Sequence, residues 1–158
     1  MSTLATLGLR IALVVLFLGT LLGEVVILPA IGRDLGGISE QATVPYTVLA
    51  IAVGVCFQVV LVAIWVLLSM IRRGAIFSER AFRWVDVIIG AGIAATLLLL
   101  GIAVLIYLLI EPPLDAPGVV VIALGFVVAA GAFVLLMVVM RGLLRSATAL
   151  QSELEEVV

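Results

Sequence analysis

The chain has 158 residues, of which 66% are hydrophobic and 11% charged, with a net charge of −2 and a mean hydropathy of +1.49. A water-soluble domain this small has too much surface to hide so much apolar matter, so lipid is the expected solvent. The near-neutral balance lacks the basic face that direct nucleic-acid binding asks for, and a single cysteine, Cys56, excludes a disulfide framework within the chain.

Arg10 followed by an apolar run has the form of a signal peptide's opening. The run continues to Ile31, past the usual length of a signal's apolar region, and reads as a retained span. A helix needs about 20 mainly apolar residues to cross a ~30 Å hydrocarbon core, and four segments qualify. They are Ile11 to Gly32, with Glu24 as its only charge, then Pro45 to Ile71, Val87 to Ile110 and Ala116 to Met140. Each must be helical, because a lone strand would leave its backbone groups unpaired in lipid. The expected fold is therefore all-α. It is a single domain over residues 1–158, a four-helix transmembrane bundle with a cytoplasmic helical extension at 141–158.

The breaks carry suitable chemistry. Asp34, Gly36, Gly37 and Ser39 make a turn-rich loop. Thr43 is placed to cap the second helix with Pro45 in its first turn. Gly74 ends that helix, Ser78 and Glu79 open the third, and Pro112, Pro113 and Pro117 separate the third from the fourth. Pro29 is placed to bend the first span. Gly19-x-x-x-Gly23 and the pairs Gly90/Ala94 and Ala91/Ala95 offer small-residue faces for close helix packing.

Arginine sets the expected orientation. Arg10, Arg72, Arg73, Arg80, Arg83, Arg141 and Arg145 fall on one side, while the other holds Arg33 with Asp34, Glu40, Glu111 and Asp115. The positive-inside rule then places both termini in the cytoplasm, and eight arginines with no lysine hint at a GC-rich bacterial genome and hence a bacterial inner membrane. Trp84 and Phe82 belong to the inner interface, Tyr46 and Tyr107 to the outer one.

The inner loop from Arg72 to Trp84 invites two readings. Its arginines hold orientation against anionic headgroups of the membrane lipid, or Arg72, Arg73, Phe77, Arg80 and Arg83 form a docking site for a cytoplasmic partner. Leu136, Met140, Leu143, Ala147, Leu150, Leu154 and Val157 recur at steps of four and three, which is one apolar stripe on a helix continuing from the fourth span. It covers the inner loop, lies at the interface or pairs with another chain. Glu153, Glu155 and Glu156 oppose the helix dipole where they stand and would be better placed against the loop arginines.

Inside the spans, one ionisable residue stands out. At 1.5 Å per residue, Glu24 lies about 21 Å outward from Arg10, and Gln58 about 21 Å outward from Arg72. Thr96 falls at a comparable height on the third span. This layer is either interhelical glue, with Glu24 neutral and hydrogen-bonded to Gln58, or a site that titrates or takes a cation or substrate. The sequence holds no histidine, no cluster with metal-ligand spacing and no nucleophile beside a base, so neither catalysis nor a cofactor is expected. Cys56, inside an apolar run, reads as a small hydrophobe.

Leu28-Pro29, Pro45, the run Arg73-Gly74-Ala75-Ile76-Phe77-Ser78 and, in part, Leu150, Glu153 and Val158 carry a resemblance. The chain is similar to the YoaS-like family of small bacterial four-span membrane proteins of unknown function, over most of its length from Leu28 onward. The tail departs from the family pattern, reading Leu154-Glu155-Glu156-Val157-Val158. Genes of that family often neighbour one for a Cro-type helix-turn-helix regulator. The resemblance therefore implies a membrane partner of a transcriptional regulator. The competing expectation is a small transporter or channel, built by homo-oligomerisation around the intramembrane carboxylate.

Overall fold

The computed structural model describes residues 3–30, 40–71, 79–110 and 117–156, the side chains at 3, 5, 40–42, 71, 79, 109–110 and 151–156 excepted. Helix α1 is Thr3–Leu22, α2 Glu40–Ile71, α3 Glu79–Leu105 and α4 Pro117–Glu156. α1 and α3 each run on into a π-helical turn, at Gly23–Ile27 and Ile106–Ile110. Among the described residues the fold is all-α, as the hydropathy requires. Each helix holds an apolar stretch long enough to cross a bilayer: Thr6–Ala30, Thr43–Met70, Arg80–Leu108 and Pro117–Leu150. The 40 residues of α4 make a rod of about 60 Å, twice a ~30 Å hydrocarbon core. The tail stripe as far as Leu154 belongs to this same helix, which continues unbroken to Glu156; Val157 lies outside the described residues.

Three local features differ from expectation. α1 begins at Thr3 rather than Ile11, because Leu4, Ala5 and Leu7 extend the helix-forming run ahead of the span. α2 begins at Glu40, so Thr43 is inside the helix and does not cap it; its carbonyl accepts from the Thr47 hydroxyl at 2.8 Å. Pro45 consequently lies in the second turn and removes one backbone hydrogen bond. An acidic residue at the positive end of the dipole followed by Gln41 and Ala42 favours that earlier start. Pro29 is met by a π-turn. Its ring would crowd the carbonyl of Val25 in a regular α-helix, and the wider turn at Gly23–Ile27, closed by the Leu28 N–H on the Gly23 carbonyl, lies directly before it. The second π-turn ends two residues before Pro112, the same offset as between Ile27 and Pro29.

Helices pack against their neighbours in chain order, and antiparallel. The closest backbone approaches run along α2–α3 and α3–α4, with fewer between α1 and α2. The core is Val60, Ala63 and Ile88, surrounded by Ile64, Leu67, Trp84, Ala91 and Met137. Trp84 thus packs half-buried against this core, while Tyr107 is exposed. Gly92 permits the α3–α4 approach: a Cβ there would stand 2.8 Å from Val134 Cγ2. Of the small residues singled out by spacing, Ala91 packs against this core, but the glycines have a different environment. A Cβ at Gly19, Gly23 or Gly90 would meet nothing within 4 Å, so the Gly19-x-x-x-Gly23 face is open. Leu13 is the one buried hydrophobic residue of α1, and α4 has none among the described residues.

Candidate functional site

Glu24 sits in the first π-turn, and its carboxylate reaches α2. Gln58 Nε2 donates to Glu24 Oε2 at 2.9 Å, joining two side chains 34 residues apart. The second oxygen, Oε1, is buried and has no hydrogen-bond partner. It lies against Gly54, one turn before Gln58 on the same face of α2. A Cβ at position 54 would collide with Oε1 and stand 2.9 Å from Cδ. Gly54 and Gln58 therefore form a socket, a bare backbone patch beside an amide donor, that receives one carboxyl group. Sequence reading missed Gly54; the signal was a glycine at the i, i+4 spacing from the only polar side chain in the middle of α2.

Thr96 takes no part in this pair. Its hydroxyl donates to the Gly92 carbonyl of its own helix at 2.8 Å. Thr20, Thr47, Ser69, Ser146 and Thr148 do likewise, each bonding a carbonyl three or four residues back. A hydroxyl in a helix can satisfy itself this way, which is why a shared height does not draw Thr96 to Glu24.

A second polar contact ties α3 to α4. Arg141 Nη2 donates to Asp86 Oδ2 at 2.9 Å, and Nε lies 2.5 Å from Oδ1 without forming a hydrogen bond, in an ion pair whose side chains are 37% and 47% exposed. Asp86 stood outside every expected contact, since it falls just ahead of the third apolar run. A third contact is the Arg10 guanidinium over the Trp65 ring, 5.4 Å from its centroid, between α1 and α2. Arg80 and Arg83 are exposed. Arg72, Arg73 and Phe77 lie outside the described residues, as do the side chains of Glu153, Glu155 and Glu156 in the last turns of α4. Cys56 is a half-buried free thiol.

Two apolar hollows accompany these contacts. One, of about 290 Å³, lies between α1 and α2. The other, of about 320 Å³, is bounded by Tyr46 and Ala50 of α2, Leu99 and Ile102 of α3 and Ile122 and Phe126 of α4. Among the described residues no group of three or more histidines, cysteines or acids could hold a metal ion.

Four long apolar helices, joined by a carboxyl–amide pair within the spans, define a multi-pass membrane protein. The chain belongs to the family described as "Protein of unknown function (DUF2975)", which matches residues 36–158. The matched part includes Gly54, Gln58, Asp86 and Arg141, while Arg10 and Glu24 of the first helix precede it. No curated protein and no solved structure matches the chain.

Proposed function

We propose that the protein is a non-enzymatic membrane interaction protein that holds a cytoplasmic partner, a helix-turn-helix transcriptional regulator, at the inner face of a bacterial plasma membrane. The observation that carries this reading is the length of α4, about 60 Å against a ~30 Å hydrocarbon core. From Arg141, paired to Asp86, the helix continues to Glu156, about 22 Å further. Along that stretch Leu143 is 61% exposed and Leu150 63%. Both lie towards the end of the apolar stretch Pro117–Leu150, and on a helix twice as long as the hydrocarbon core they would offer a surface for another helix. The arginine distribution supports a cytoplasmic location for this end and for both termini. The YoaS-like resemblance supports the choice of partner. Exposed Arg80 and Arg83 would complete the docking face, and Arg72, Arg73 and Phe77 precede them in the sequence.

The test is co-purification of a soluble helix-turn-helix regulator from the same cells with the tagged membrane protein. Leu143→Ser with Leu150→Ser, or Arg80→Ala with Arg83→Ala, should release it while the protein remains in the membrane. A regulator that stays soluble in cells overproducing the membrane protein removes the reading. A second reading, an oligomeric transporter, draws on the buried Glu24 Oε1. It requires an ion flux in liposomes that Glu24→Gln removes.

A further inference from the structure

We infer that the crevice between α1 and α2 is a binding site for one anionic phospholipid, whose phosphate sits on Arg10 and one of whose acyl chains lies between the helices. The proposal stands independently of the partner reading. α1 is held to α2 by polar contacts at both ends of their shared seam, Arg10 on Trp65 at one and Glu24 on Gln58 at the other. Between them the helices do not close. They leave about 290 Å³ bounded by Leu13, Phe17 and Leu18 of α1 and Leu61, Val62 and Trp65 of α2. The walls are aliphatic and aromatic and give a polar ligand nothing to bond. The volume is at the lower limit of ligand pockets, roughly 300–1,000 Å³, and suits a single flexible chain better than a rigid ring system.

The mouth supplies the charge. The Arg10 guanidinium stands over the Trp65 ring, a contact that uses no hydrogen-bond acceptor, so its N–H groups can still donate to a ligand. Among the described residues the ion pair that forms is Asp86–Arg141, and none of their carboxylates neutralises Arg10. A phosphate diester matches the fork of a guanidinium, and a tryptophan with a cation at the edge of a span is where headgroups lie. The same seam thus offers an anion site and a chain-sized hollow in line: residues 10, 13, 17 and 18 lie along one face of α1.

The experiment uses the full chain carrying Trp84→Phe, so that Trp65 is the sole tryptophan and is excited selectively, in bilayer nanodiscs containing lipid brominated on its acyl chain. Brominated phosphatidylglycerol should quench Trp65 at about one-fifth the mole fraction needed for brominated phosphatidylcholine, the factor expected of one arginine acting on an anionic lipid. Arg10→Gln should equalise the two lipids, Arg10→Lys should keep part of the preference, and Val14→Phe, which fills the hollow, should weaken quenching by both. Equal quenching in the parent protein, a preference that survives Arg10→Gln, or quenching indifferent to Val14→Phe would each overturn the proposal. Native mass spectrometry of the unsubstituted protein gives an independent reading: one phosphatidylglycerol retained in preference to phosphatidylcholine supports the site, and equal retention contradicts it.

Discussion

The two sides of α2 are built on different principles. Towards α3 and α4 it packs through apolar contact, with Ala63 fully buried beside Val60 and Ile88 and with Gly92 admitting Val134. Towards α1 it makes fewer close approaches, leaves a crevice beside the buried Leu13 and Leu61, and adds the contacts Arg10–Trp65 and Glu24–Gln58. In lipid, apolar contact between helices has no hydrophobic driving force, so close fit and hydrogen bonds must supply association. One side uses fit and the other uses polar pins. A seam held by pins can open around a guest and close again, which a fitted core cannot do without strain.

The contrast predicts which changes are felt globally and which only by α1. Ala63→Leu should be the most damaging, because a side chain with no exposure has no room to grow; overpacking of this kind costs about 1–3 kcal/mol. Its measure is thermal unfolding in detergent followed by circular dichroism. Glu24→Ala should cost about 1 kcal/mol and act locally. Hydrogen exchange should rise in α1 and leave the α2–α3 core protected. Gly54→Ala should match Glu24→Ala in size, since the added methyl meets only the movable end of the Glu24 side chain and displaces it from Gln58. In a Glu24→Ala background the same substitution should be nearly silent, a distinction that separates a carboxyl socket from a general need for glycine. Asp86→Asn should have the smallest effect, below about 1 kcal/mol and shrinking further as salt is added, because the Asp86–Arg141 pair is part-exposed.

Much of this was legible because the underlying signals are long or geometric. Four apolar runs give four helices whatever their exact ends, and a rise of 1.5 Å per residue was enough to bring Glu24 and Gln58 to one height. Other features depend on the direction in which a side chain leaves its helix, which spacing alone does not give. Gly54, Gly92, Gly19 and Gly23 look alike in sequence, yet the first two admit a neighbouring helix and the last two face open space. Thr96 shares a height with the pair but bonds its own helix. Asp86–Arg141 was hidden because arginines at span edges read as orientation signals before they read as partners. The π-turn under Glu24 was legible only in part: Pro29 marked a disturbance, and its form followed from the backbone.

The most direct test of polar pinning is a double-mutant cycle on Glu24→Ala and Gln58→Ala, read as unfolding free energy in mixed micelles. A single shared hydrogen bond within the spans predicts a coupling of about 1 kcal/mol, with the double substitution little worse than either single one. Effects that add to within about 0.3 kcal/mol would contradict it, because α1 would then be held to α2 by something other than this pair.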